Sequence, residues 1–401
     1  MNTGKTLFAQ LMDFLPWTTF SRIVTRYEGD RGVRTLPCTE QYRALAFAQL
    51  TYRESLRDIE ACLSAQPTKL YGMGFRDPVR RATLADANEA RDWRIYAAFA
   101  HSLIGQARRL YAGESLGEDL TSTVYALDST TIDLCLSVFP WAQFRSTKLA
   151  PAKAGGAVKM HTMLDLSGNI PSFIHVSDGK LHDVNVLDLL PIESGAIYVV
   201  DRGYVDFGRL YGLHQAGAFF VTRTKSNMKA HRLYCAGGSR HRPDLRSDHR
   251  AGRRRHPPRV PRALAAGPLS GSGDGQEPGV SDQPDDAVSA DHLRSLQATV
   301  AEPAPAKAGV ELFFKWIKQH LRIKRFYGTS HNAVKTQIWI AVSVYVLIAI
   351  VRKRLKLKAS LYTLLQIFSV SMFEKMPIKS AFSAENCRMH MGDDHNQLEL
   401  L

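Results

Sequence analysis

Residues 122–134 read STVYALDSTTIDL, and the fold turns on how that stretch is taken. Its β-branched and apolar residues predict a buried strand carrying Asp128. Downstream, residues 155–166 (GGAVKMHTMLDL) and 170–178 (IPSFIHVSD) are two further strand-like runs, separated by Ser167-Gly168-Asn169, a turn signal. A short helical stretch, His182 to Leu190, leads to AIYVVD, an apolar run ending on Asp201. Another helix follows, then AFFVTR (218–223) as one more strand. The order is β, β, β, α, β, α, β, with acidic residues expected at the ends of the first and fourth strands. Such mixed order with short connections predicts a three-layer α/β domain.

Upstream, residues 1 to about 115 read as helical. Phe14, Trp17 and Phe20, then Ala46, Phe47 and Leu50, recur at helical spacing among many arginines, and residues 85–112 continue in that style. Basic faces there admit a DNA-end-binding role, although arginine-bearing amphipathic helices are commonly just solvated. Near the other end, Gln337 to Val351 is QIWIAVSVYVLIAIV. It falls short of the roughly 20 residues a bilayer needs, so a buried core helix is expected and no membrane association.

The 401 residues carry 52 Lys and Arg against 38 Asp and Glu, a formal charge of +14. That excess favours a polyanionic partner, nucleic acid before anionic membrane. Five cysteines (38, 62, 135, 235 and 387) are scattered without C-x-x-C spacing, which argues against a disulfide framework or zinc site and predicts a reducing cytoplasm. No apolar N-terminal core with a cleavage site reads as a secretory signal.

Residues 235–309 differ from the rest. They hold no Phe, Tyr, Trp, Ile or Met, whereas the other 326 residues hold all 37 aromatics. Half of the 18 prolines lie here, with ten arginines and nine glycines. A disordered Pro/Gly/Arg linker would have this composition. The genetic code offers a second explanation. Read one nucleotide later, with freely chosen third bases, the codons for Val260 to Gln283 can encode two strand-like runs around an Asp-Pro-Glu-Thr-Gly turn. Residues 235–309 are therefore expected to be out of frame and disordered, with the frame restored near Val310. Outside this segment Lys and Arg number 41 and Asp and Glu 29, so the basic character does not depend on it.

Phosphodiester transfer to water or a 3′-hydroxyl is served by two Mg²⁺ ions that stabilise the attacking and leaving oxygens. Magnesium takes hard oxygen ligands and keeps some waters, so two or three carboxylates suffice, and rigid strands place them better than loops. The candidates are Asp128 in YALDSTTIDL, Asp201 in VVDRGY, and Glu311 in VELFFKWIKQHLRIKRFYG. Singly, each is as readily a turn or cap residue.

Together with their surroundings, the three segments resemble the catalytic motifs of the IS4 family of bacterial insertion-sequence transposases, over most of the chain. The resemblance implies an RNase H-like core with a β-rich insertion between the second Asp and the Glu. It implies Asp128, Asp201 and Glu311 as the catalytic and metal-binding acids, Mg²⁺ (or Mn²⁺) as cofactor, and double-stranded DNA as partner, both element ends and target. A homodimer on paired ends is implied as well. Asp201-Arg202-Gly203-Tyr204 matches the second-acid motif, which makes Arg202 and Tyr204 expected DNA contacts. The family's third motif is Tyr, two residues, Arg, three residues, Glu, six residues, Lys. Glu311 and Lys318 fit it, but Ala304 and Lys307 occupy the Tyr and Arg positions. Read one base later, Leu296 to Ala301 can encode Tyr-Lys-Arg-Arg-Trp-Gln, which supplies both missing residues at their mutual spacing. If the frame is sound, Lys307 is the first substitute for the arginine.

Glu311, Lys315, Lys318 and Arg322 fall on one helical stripe, with Leu312, Phe313, Trp316, Ile317 and Leu321 on the faces toward a core. A carboxylate with three cations suits metal and phosphate contact; i, i+4 charge pairing on a solvated helix would look the same. Lys159 and His161 on the second strand, and Arg145, Lys148 and Lys153 in a loop, are lesser candidates. His175, Asp178, His182 and Asp183 look metal-like, but turn capping explains them more simply. The expected layout is a helical N-terminal region (1–118), the first part of an RNase H-like catalytic domain (119–234), the disrupted insertion (235–309), C-terminal helices of that domain (310–380) and a polar tail (381–401). The expected function is a DNA transposase cutting element ends and joining them to target DNA, in a copy expected to be inactive. The alternative is a non-catalytic DNA-binding remnant.

Overall fold

The computed structural model describes residues 4–114, 122–134, 139–142, 156–178, 181–222, 230–232, 249–251 and 326–382. Contacts divide the chain into two compact units: one of residues 1–114, 129–181 and 309–401, the other of 115–128 and 182–308.

The first unit opens with seven helices: α1 Leu7–Met12, α2 Trp17–Arg26, α3 Cys38–Leu50, α4 Leu56–Ser64, α5 Pro67–Leu70, α6 Arg81–Ala90 and α7 Arg94–Tyr111. Starts are set by local chemistry. Thr6 and Ser55 cap α1 and α4 by accepting the backbone N–H three residues on, and Pro67 opens α5. Trp17 and Phe20 lie on α2 as their spacing predicts, whereas Phe14 falls in the turn before it. Phe20, Tyr42 and Phe99 form a cluster of rings 4.8–5.7 Å apart.

Around this cluster lies α9, His331–Leu355, followed by α10, Leu361–Ser371, and α11, Ile378–Ala381; α8 belongs to the other unit. The sequence predicts the buried centre of α9 but not its length of 25 residues. Ser330 caps its start through the N–H of Ala333, and Arg352, Lys353 and Arg354 fill its last turn. By length and apolarity α9 could cross a membrane, but 94% of its most apolar window is buried inside the protein. Tyr42 and Ser343 join hydroxyls at 2.9 Å across its interface with α3. Asn332 accepts from the N–H of Trp93 and donates to the carbonyls of Asn88 and Arg91, tying the start of α9 to the turn between α6 and α7.

Strands β2, Gly156–Asp165, and β3, Ile170–Asp178, form an antiparallel hairpin in this unit, with His161 opposite His175. The predicted Ser167-Gly168-Asn169 turn is present, and Asn169 takes the left-handed backbone such a turn requires (φ 53°).

The second unit holds the start of β1, Val124–Leu134, then β4, Ile197–Val200, α8, Phe207–Gln215, and β5, Phe219–Thr222. Both β1–β4 and β4–β5 are parallel. The sheet order is β3-β2-β1-β4-β5, so the fold is mixed α/β, a sheet with helices. The predicted helix at 182–190 is a 3₁₀ helix, Asp183–Leu189, long for that tighter geometry. Ala230–Arg232 (β6) pairs antiparallel with His249–Ala251 (β7), the latter inside the segment expected to be out of frame.

Candidate active site

The two parallel ladders of the second unit end level with each other. Leu127 on β1 pairs with Val200 on β4, and Val200 with Thr222 on β5. The next residue on β1 is Asp128 and the next after β4 is Asp201. Each aspartate thus directly follows the last paired position of the β1–β4 ladder, Asp128 within β1 and Asp201 just past the end of β4. Both are half-buried. Asp201 ends its strand as predicted. Asp128 does not: β1 continues to Leu134, and it is the end of β4 that opens the position beside it. The C-terminal ends of parallel strands are where α/β sheets place ligands.

The register is fixed from the opposite face. Tyr125 and Tyr198 lie side by side with their rings tilted by 38° and their centroids 5.4 Å apart. Tyr125 donates to the carboxylate of Glu193 at 2.7 Å, while the Tyr198 hydroxyl accepts from the Glu193 N–H at 2.8 Å and donates to the Pro191 carbonyl at 3.2 Å. A slip of β1 by one residue against β4 would turn Tyr125 away from Tyr198 and break its bond to Glu193.

Beyond β4 the chain makes a 3₁₀ turn, Arg202–Tyr204, closed by Tyr204 N–H donating to the Asp201 carbonyl at 2.9 Å. Tyr204 is only 2% exposed. Its side chain is packed in the core, where it anchors the turn that follows Asp201. A Cβ on Gly203 would come no closer than 3.9 Å to the Asp183 carboxylate. Asp206 caps α8 through the Arg209 N–H at 3.1 Å. Arg209 in turn grips Asp188 at 2.7 and 2.8 Å and Asn185 at 3.2 Å, and its hydrogen bonds hold the Asp188 carboxyl below the usual range. Asp201 thus sits on a turn held on one side by a buried ring and on the other by a capped helix.

The remaining candidates divide. His182 accepts from the Val184 N–H at 3.4 Å, as the capping explanation predicts. His161 is fully buried and Lys159 half-buried on β2. Burial, then the nearby Lys335, lowers the pKa of His175. Glu311, Lys307, Lys315, Lys318 and Arg322 lie outside the described residues, as do the Arg202 and Asp178 side chains and Arg145, Lys148 and Lys153. Among the described residues no group of three or more His, Cys, Asp or Glu is arranged to hold a metal ion. Asp128 and Asp201 carry hard oxygen donors of the kind of which Mg²⁺ takes one or two.

The profile of the transposase DDE domain matches residues 119–347, more than half of the chain and a span that contains all three acids. The chain belongs to the DDE transposase family. Ahead of that match, residues 3–76 of this transposase fit a domain family of unknown function, DUF4372. Among its relatives, a protein described as transposase y4zB of Sinorhizobium fredii is 28% identical over 311 residues, 74% of this chain and 78% of that one. A transposase described for insertion sequence IS5377 of Geobacillus stearothermophilus is 25% identical over 231 residues, 55% of each chain. One for element IS4SA of Synechocystis is 23% identical over 278 residues, 67% of this chain and 70% of the relative. Of solved structures, a piggyBac transposase synaptic complex with hairpin DNA aligns with 94% of this chain and 80% of its own, at 12% identity and a TM-score of 0.39, too low to argue from.

Proposed function

We propose that this protein descends from an IS4-type enzyme that cleaves DNA at the ends of its element and transfers the freed strands into target DNA, on an RNase H-like core with Asp128, Asp201 and Glu311 as its acids. The observation that supports the proposal is the Leu127–Val200 register, each partner of which is followed by an aspartate, Asp128 within β1 and Asp201 just past the end of β4. Two carboxylates so placed, completed by Glu311, would hold Mg²⁺ or Mn²⁺. The bound metal would supply charge stabilisation at the attacking and leaving oxygens of the phosphodiester. The protein's own part is positional: the Tyr125–Tyr198 face fixes the strand register, and the Tyr204 turn fixes Asp201. Arg202, Lys307, Lys315, Lys318 and Arg322 are assigned to DNA phosphates, with two protomers acting on paired ends.

The same proposal has the chain as it stands inactive, because residues 235–309 are out of frame and the Tyr and Arg of the third motif are lost with them. The test compares two proteins on duplexes carrying the gene's own flanking termini, with Mg²⁺. The frame-restored chain cleaves them, and the chain as it stands does not. Robust cleavage by the present chain that Asp201→Ala abolishes would overturn the frame argument and leave the acids standing. Cleavage by neither would favour a DNA-binding remnant.

A further inference from the structure

Helices α7 and α9 lie side by side and run the same way. Trp93 meets Asn332 and Lys335, His101 meets Trp339, and Tyr111 meets Ala349 and Lys353. Their C-terminal ends therefore finish together, and both ends are basic. Arg108 and Arg109 fill the last turn of α7, while Arg352, Lys353 and Arg354 fill that of α9, with Lys356 and Lys358 just after it. Among the described residues two of these seven are ion-paired, Arg108 with Asp165 at 3.9 Å and Lys353 with Glu114. Arg109, Arg354, Lys356 and Lys358 are exposed.

The helix dipole accounts for cations in a last turn. It does not account for Lys356 and Lys358, which stand beyond the end of α9. Lys356 closes the helix in the left-handed region (φ 55°), where glycine or asparagine is the usual occupant. The platform beneath is rigid. A Cβ on Gly168 in the β2–β3 turn would lie 2.4 Å from the Tyr111 ring, Tyr345 donates to the Asn169 carbonyl at 2.8 Å, and Tyr111 donates to the Ala349 carbonyl at 2.9 Å.

A basic run after a long apolar helix is also the pattern of a segment beside a membrane. Here the apolar surface of α9 is covered by protein from Ala333 to Val351, which leaves no side for lipid and makes nucleic acid the fitting polyanion. We propose that the shared end of α7 and α9, with Arg109, Arg354, Lys356 and Lys358 outermost, docks the phosphate backbone of duplex DNA without reading its sequence. Such contacts set register and orientation while other residues do the chemistry. The choice of DNA as the polyanion rests on the proposed function; the basic platform itself does not.

The test uses the full chain and a short duplex of scrambled sequence, with binding followed by fluorescence anisotropy across a salt series. The variant Arg354→Gln/Lys356→Asn/Lys358→Gln is expected to bind about tenfold or more weakly and to flatten the slope of log affinity against log salt by about 2 to 3. Arg354→Lys/Lys358→Arg, which keeps the charge, is expected to bind like the original, separating loss of charge from loss of fold. A neutral triple variant with unchanged affinity and slope would overturn the docking site alone, since DNA binding elsewhere and the proposed reaction would stand. No duplex binding by the unaltered chain, with binding to phosphatidylserine vesicles that the triple variant loses, would overturn DNA as this site's partner and count against the proposed reaction as well.

Discussion

Leu127 of β1 stands opposite Val200 of β4 in a parallel ladder, and the residue that follows each of them is an aspartate. Neither sequence spacing nor strand prediction fixes that relationship, because 73 residues of chain separate the two positions. It comes from the register, which the Tyr125–Tyr198 contact and the Tyr125–Glu193 hydrogen bond on the far face support.

Two carboxylates on adjacent strand positions repel each other when no cation lies between them. Like charges opposite one another in a sheet cost about 0.2–1 kcal/mol. Asp201→Asn is therefore expected to raise the melting temperature slightly in the presence of a chelator. It is also expected to lose most of the stabilisation that added Mg²⁺ gives the unaltered chain. Thermal melts with and without Mg²⁺ measure both; equal Mg²⁺ stabilisation of the two proteins would contradict the pairing.

Gly168 has no room for a side chain, since its Cβ would overlap the Tyr111 ring at 2.4 Å. Gly168→Ala should destabilise the chain by about 1–3 kcal/mol through overpacking. Urea titration reads this as a lower midpoint at unchanged slope. A midpoint equal to that of the original chain would mean that the turn can move away from α7.

Asn332 hydrogen-bonds backbone groups of four residues, 88, 89, 91 and 93, from a single side chain. Removing it in Asn332→Ala strands those groups at the start of α9, at an expected cost of about 1–3 kcal/mol. Hydrogen exchange should show the Trp93 amide losing protection before amides at the centre of α9 do. Uniform loss along the helix would argue against a local tie.

His175 is held below its ordinary pKa of 6.5 by burial first and by Lys335 second, with His161 opposite it and Phe173 alongside. The folded chain thus binds that proton more weakly than the unfolded chain. Stability from this group is complete above about pH 6.5 and falls as the pH drops through 6.5 toward the lower folded value. His175→Phe should flatten the decline of stability on the acid side, as followed by urea midpoints at several pH values. An identical decline in both proteins would assign it to other groups.

Much of the sheet is legible in the sequence, for a physical reason. Each strand is a short apolar or β-branched run closed by turn residues, so the order of strands and helices can be read locally. The position of Asp128 could not be read so, because Ser129 to Leu134 continue the strand and only the partner strand's end marks the site. Tyr204 stands in a motif that points to DNA, yet its ring is buried; a single residue's exposure depends on packing from distant segments. The basic platform escaped for the same reason. Arg108 and Arg109 lie more than 240 residues from Arg352–Lys358, and only the parallel packing of α7 on α9 brings them together. The full length of α9 does not show in its apolar run because its ends are polar and basic, and a cap at Ser330 with a cationic last turn extends the helix beyond its apolar centre.

The most direct measurement is Mn²⁺ binding to the full chain, followed by electron paramagnetic resonance, with Asp128→Asn and Asp201→Asn beside the original and their folds checked by circular dichroism. Each substitution is expected to weaken binding by more than the roughly 10- to 100-fold that losing an outer-sphere partner costs, and by a similar factor for both. Mn²⁺ bound equally well by all three proteins would contradict the assignment of Asp128 and Asp201 as one metal site.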